Sequence, residues 1–123
     1  MIITIFRSRL DPAQETSYAA MSKAMAALVN AMPGLISYKS FEAKDGERVT
    51  IVEFADEASH DAWRDQPQHR QAMALGKSTF YETYKVQVCE LLRESSYARD
   101  AQAPIECASP PCFAAEFNRS DDD

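Results

Sequence analysis

The chain carries two histidines, His60 and His69, and one tryptophan, Trp63. Histidine titrates nearest to working pH, so it is the first candidate for moving a proton. His69 stands six residues after Trp63. A proton-transfer group beside a flat apolar ring is a fitting pair for a planar substrate, because such pockets are mostly apolar with a few polar groups. Each residue also has a plainer reading. Trp63 serves equally as a core anchor, since aromatics bury large areas. His69 follows Pro67 and could be a surface residue at a helix start. His60, three residues before Trp63, is expected to face solvent.

Other chemistries find less support. The three glycines, at 34, 46 and 76, are too far apart for a phosphate-cradling loop or a dinucleotide fingerprint. Cys89, Cys107 and Cys112 lack CxxC spacing, and with only two histidines they make no zinc site. No metal and no cofactor is therefore expected. Cys89 falls within a strand pattern and reads as a small buried hydrophobe. A Cys107–Cys112 disulfide is sterically conceivable.

The chain has 123 residues and a net charge of −6. The acidic surplus gathers late. From residue 94 onward come Glu94, Asp100, Glu106, Glu116, Asp121, Asp122 and Asp123 against Arg99 and Arg119. The first 93 residues are close to neutral, which argues against a nucleic-acid footprint. No apolar run approaches the ~18 residues of a membrane span. No basic segment followed by an apolar one suggests a secretory signal, so a reducing cytoplasm is the expected setting. Residues 94–123 hold Pro104, Pro110 and Pro111 and lose hydrophobic periodicity. They read as a partly disordered extension to a domain spanning 1–93, in which Cys107, Cys112 and Phe113 could pin a short segment.

The elements that must position these side chains are legible. Ile2 to Arg9 is rich in β-branched residues and reads as a strand. Asp11-Pro12 marks a helix start, with Asp as cap and Pro at the first helical position. Tyr18, Met21, Met25, Leu28, Val29 and Met32 then recur at helical spacing and predict a core stripe. Pro33-Gly34 ends that helix. Leu35–Lys44 and Arg48–Ala55 read as strands joined through Asp45-Gly46, a hairpin signal. Asp56 caps a second helix that Pro67 breaks. A third helical piece runs to about Lys77, and Thr79 to Leu91 is the last strand.

Strand, helix, strand, strand, split helix, strand implies an α+β fold: ferredoxin-like βαββαβ with a four-stranded antiparallel sheet and helices on one face. The strands carry apolar residues on both sides, Ile3 and Ile5 against Ile2 and Phe6, Val49 and Ile51 against Val52 and Phe54. A sheet with one wet face alternates more cleanly. The second face therefore calls for a partner, and a copy of the same chain about a two-fold axis is the simplest. Arg7 and Arg9 lie within a strand and need partners if buried; Glu53, Glu82 and Lys85 are the candidates for dimer-face ion pairing.

The sequence resembles the antibiotic biosynthesis monooxygenase (ABM) domains of the dimeric α+β barrel superfamily. The likeness rests on Met32-Pro33-Gly34-Leu35-Ile36-Ser37-Tyr38, on the run Val49 to Ser59, and on Asp61-Ala62-Trp63-Arg64 with His69 beyond. It covers about residues 1 to 93. It implies a homodimer whose sheets face each other in a barrel, with a pocket in each subunit between sheet and helices. Members of the superfamily oxygenate aromatic polyketides or quinols without a cofactor, or degrade haem, and many have no known activity. Fold membership does not fix the reaction.

In the cofactor-free members, a polar side chain six residues after the tryptophan faces the substrate, and His69 holds that place. In the haem-degrading members, an asparagine ends the first strand and a histidine follows the tryptophan by ten. Here those positions are Ser8 and Met73, which weighs against haem, although methionine can ligate haem iron. Ser8 could instead hydrogen-bond a substrate oxygen. Tyr38, Phe54, Tyr81 and Tyr84 are strand aromatics, read first as core or interface. Tyr38 and Phe54 stand with Trp63, Ser8 and Met73 as candidate substrate contacts, and His69 as the candidate catalytic base. The leading expectation is a cofactor-independent oxygenase of a planar phenol or quinol. The alternatives are a non-catalytic ligand-binding dimer and a haem-binding relative.

Overall fold

The computed structural model describes residues 1–99. Cys107, Cys112 and Phe113, and most of the acidic extension, lie outside the described residues. Met1–Glu90 forms one compact unit, and the remaining described residues, 91–99, have no helix or strand.

The elements run β1 (Ile2–Leu10), α1 (Glu15–Asn30), β2 (Leu35–Glu42), β3 (Arg48–Phe54), α2 (Glu57–Arg64), α3 (Pro67–Leu75) and β4 (Tyr81–Glu90). The sheet order is β2-β3-β1-β4 with every neighbouring pair antiparallel. This is the expected α+β, ferredoxin-like arrangement. Local chemistry sets the boundaries. The Asp11 carboxylate accepts from the Ala13 amide at 3.0 Å, but it caps a 3₁₀ turn, Pro12–Gln14, that leads into α1. Asp56 accepts from the Ser59 amide at 2.8 Å and starts α2. That bond holds the Asp56 carboxyl below its ordinary range. Pro67 opens α3 at its first position, and the Gln66 side chain caps it by accepting from the His69 amide at 2.7 Å. Gly34 has φ +84°, and a Cβ there would stand 2.1 Å from Ser59 Oγ. Only glycine lets the β2 entry pass so close to α2.

Alternation along the strands puts Thr4, Phe6, Val52 and Phe54 on the helix side and Ile3, Ile5, Val49 and Ile51 on the other. The core is Val29, Val52, Phe54 and Trp63, with Met25, Leu28, Met32, Leu35 and Tyr38 packed around it. The α1 stripe thus reaches the core, although Met21 and Met25 also wall a cavity.

Three expectations are corrected. Arg7 and Arg9 do not reach for Glu53, Glu82 or Lys85. Arg7 makes a two-pronged bond to Glu47 at 2.8 and 2.9 Å, and Arg9 bonds Asp45 at 2.9 Å. The β2–β3 turn lies beside the far end of β1 and supplies both acids, while Glu53 is engaged by the Ser37 hydroxyl at 2.7 Å. Cys89 is exposed, not buried, because its register opposite Ile3 turns it to the sheet's outer side. The last strand begins at Tyr81 rather than Thr79, because a π-helical turn, Gly76–Phe80, extends α3 and buries Phe80.

Candidate functional site

Sheet and helices do not meet everywhere. Between them lies a cavity of about 200 Å³. Its floor is Thr4, Phe6, Thr50 and Val52 from the sheet's centre. Its roof comes from Met21 and Met25 of α1, Trp63 of α2, and His69 and Met73 of α3.

His69 is held in two ways. Its ring stacks on Trp63 with centroids 4.0 Å apart and planes 14° apart. Its Nδ1 lies 2.9 Å from the Trp63 carbonyl oxygen. A carbonyl only accepts, so Nδ1 carries the hydrogen and donates it, which leaves Nε2 as the ring's acceptor. Burial pushes the His69 pKa below the ordinary histidine value, and the carbonyl bond opposes that shift. The imidazole is therefore neutral at neutral pH, in the tautomer a base requires.

Trp63 is 7% exposed and belongs to the core as well as to the cavity wall. Because His69 covers one of its faces, a ligand has only the rest of the indole to meet. One side chain thus belongs to the core and lines the cavity.

The structure brings four of the six sequence-derived site residues to the cavity: His69, Trp63, Tyr38 and Met73. Ser8 and Phe54 are not on its wall. Ser8 is 3% exposed and lies two residues beyond Phe6, where β1 has run past the cavity floor. Phe54 is fully buried at the other end, packed among Val29, Val52 and Trp63.

His60, expected in solvent, is interior. It is 8% exposed and lines the cavity. Its Nδ1 lies 2.9 Å from Asp61 Oδ1, and its ring meets Phe54 edge-on at 6.3 Å. The overlooked signal was the three-residue spacing to Trp63, which puts both on one helix face. Tyr18 and Tyr81 were also missed as cavity residues. Among the described residues, Thr4 Oγ1 is a buried hydroxyl without a partner, and Thr4 lies on the cavity floor. Buried hydroxyls in native structures are nearly always bonded. Among the described residues, no group of three or more His, Cys, Asp or Glu gathers to hold a metal ion. None of the described helices is long and apolar enough to cross a membrane.

Residues 1–75 match the family model for antibiotic biosynthesis monooxygenase. The chain belongs to this family. The ABM match runs from β1 to the end of α3, so it takes in both histidines and Trp63 but not Tyr81 or β4. Among curated proteins, the chain is 26% identical over 87 residues to the uncharacterized protein YqjZ of Bacillus subtilis (strain 168), covering 71% of this chain and 76% of that protein. Among solved structures, it is similar to Rv0793 from Mycobacterium tuberculosis, with 25% identity, a TM-score of 0.69, and coverage of 77% of this chain and 98% of that one. It also shares its fold with a solved antibiotic biosynthesis monooxygenase at 16% identity and a TM-score of 0.67, covering 76% of this chain and 100% of that chain.

Proposed function

We propose that the cavity oxygenates a planar phenol or quinol without a cofactor, with His69 as the base. The observation that carries this reading is the tether of His69: Nδ1 is bound to the Trp63 carbonyl, so Nε2 is free to accept. The ABM membership and the partnerless Thr4 hydroxyl beside the cavity support it. Trp63, Tyr38 and Met73 wall the substrate. Phe54 packs behind Trp63 from outside the cavity, and Ser8 is not on its wall.

In this scheme the substrate hydroxyl gives its proton to His69 Nε2. The electron-rich anion then reduces dioxygen. One oxygen atom is added to a ring carbon, and the other leaves as water with the two hydrogens the substrate loses, so no external reductant is required. The protein contributes orientation and a dry, fixed polar environment. The reading carries with it a homodimer, in which a second copy covers Ile3, Ile5, Val49 and Ile51, and a cytoplasmic setting. Sedimentation as a single copy at micromolar concentration would refute the dimer.

The test is oxygen uptake with a panel of quinols and anthrone-like phenols. Turnover above the buffer rate is expected, falling by about a hundredfold or more in His69→Ala, the usual scale for loss of a general base. Unchanged turnover in that variant overturns the role of His69. Tight binding of the same compounds without oxygen uptake overturns the oxygenase and leaves a ligand-binding dimer. A Soret band on titration with haem would instead favour the haem-binding alternative.

A further inference from the structure

Three phenols from three elements face the cavity: Tyr18 from α1, Tyr38 from β2 and Tyr81 at the start of β4. The Tyr18 and Tyr81 rings lie 5.8 Å apart, edge to face. Phe6 meets Tyr81 in the same way at 5.4 Å.

Tyr81 is held by features that a simple helix-to-strand connection would not need. The chain enters it from the π-helical turn Gly76–Phe80, a rare geometry found frequently at functional sites. Its ring lies against Gly76, where a Cβ would stand 2.5 Å from Tyr81 Cε2. Gly76 itself is helical, at φ −59°. The glycine is therefore required by the ring above it, not by its own backbone. The Phe80 carbonyl is also tied, accepting from the Asp11 amide at 2.8 Å.

Strand register places these phenols relative to the base. Tyr81 opposes Leu10 at the far end of β1. His69 stacks on Trp63, which packs with Val52 and Phe54, and these oppose Thr4 and Ile2 at the near end. The imidazole and the Tyr81 ring, with Tyr18 beside it, thus sit toward opposite ends of one floor with Phe6 between, while Tyr38 opposes Val52 nearer the base. Burial, first, and then the neighbouring Tyr18 hold Tyr81 protonated well above the ordinary tyrosine range. Tyr38 is raised for the same reasons in the same order. Tyr81 and Tyr38 are neutral O–H donors at working pH.

Resting on the reading of this cavity as the substrate site, we infer that Tyr81, seconded by Tyr18, donates a hydrogen bond to a second oxygen of the ligand. The cavity then selects planar aromatics bearing oxygens at both ends over those bearing one. A site built to bond a substrate oxygen discriminates against an analogue lacking it, because its own polar groups are left unpaired.

The experiment measures binding of 1,4-dihydroxynaphthalene and 1-naphthol under nitrogen, which prevents turnover. Quenching of Trp63 fluorescence reports both. Wild type should hold the dihydroxy probe about three- to tenfold more tightly, the range of one net hydrogen bond. Tyr81→Phe keeps the ring against Gly76 and should bring that ratio close to one. Tyr18→Phe, which leaves Tyr81 untouched, should lower it by a smaller factor. If both variants keep the wild-type ratio while the probes bind, the inference is overturned and the cavity reading stands. If neither probe binds wild type, the cavity reading itself fails and the inference with it. Oxygen uptake in His69→Ala is read separately, so loss of the base cannot be mistaken for loss of the phenol.

Discussion

Around β3 the helices close tightly on the sheet. Val29 and Phe54 are fully buried there, with Val52 and Trp63 nearly so. Around β4 they do not. Val86 is 45% and Val88 55% exposed, although their register opposite Phe6 and Thr4 puts them on the same side of the sheet. The two regions use the same kind of apolar residue for different ends. β3 lies between β2 and β1, under the helices. β4 is an edge strand with one neighbour. Apolar residues in the first region exclude one another's solvent and stabilise the fold. Those in the second border an unfilled volume, where a ligand can do what a side chain does elsewhere.

The contrast can be broken by mutation. Phe54→Ala should lose about 3–5 kcal/mol in urea denaturation, since it empties the packed side. Gly34→Ala should lose about 1–3 kcal/mol, because it combines a left-handed backbone with a clash against Ser59. The His69 effect is smaller and depends on pH. Its folded pKa is depressed, so below the ordinary histidine value the unfolded chain binds a proton that the folded chain does not. Stability is then fully present above that value and declines as pH falls through it toward the folded pKa. His69→Gln should flatten that part of a melting-temperature profile, and an unchanged slope would show that the imidazole is not held neutral. Val88→Ala should change stability least, within about 0.5 kcal/mol. A loss comparable to that of Phe54→Ala would mean that the β4 region is as closely packed as β3, and the contrast would disappear.

Much of the scaffold was legible because its signals are local. Asp11-Pro12, Pro33-Gly34, Asp45-Gly46 and Asp56 each act through their own backbone, and each marks a boundary in the structure. The cavity was only half legible. Trp63 and His69 were found through their spacing within one helical segment and the one after it. Tyr18 and Tyr81 come from separate elements, and their meeting depends on how α1 settles over the sheet. His60 was misjudged because a polar residue on a short, strongly polar helix reads as surface, and only packing against Phe54 makes it interior. The π-helical turn left no sequence signal except Gly76, whose reason is a ring five residues later. The partners of Arg7 and Arg9 were misassigned because nearest acids were sought on adjoining strands, whereas the acids sit on a turn about forty residues away in sequence.

That turn has a consequence for alignment errors during folding. Arg7 and Arg9 are two apart, as are Glu47 and Asp45, and the outer register of β1 against β3 brings each base to its acid. A slip of one residue would swing both guanidiniums toward the greasy interior and throw Thr4 and Phe6 out to water. The hairpin tip therefore works as a two-toothed gauge. It favours the strand alignment that keeps the chamber's floor facing inward.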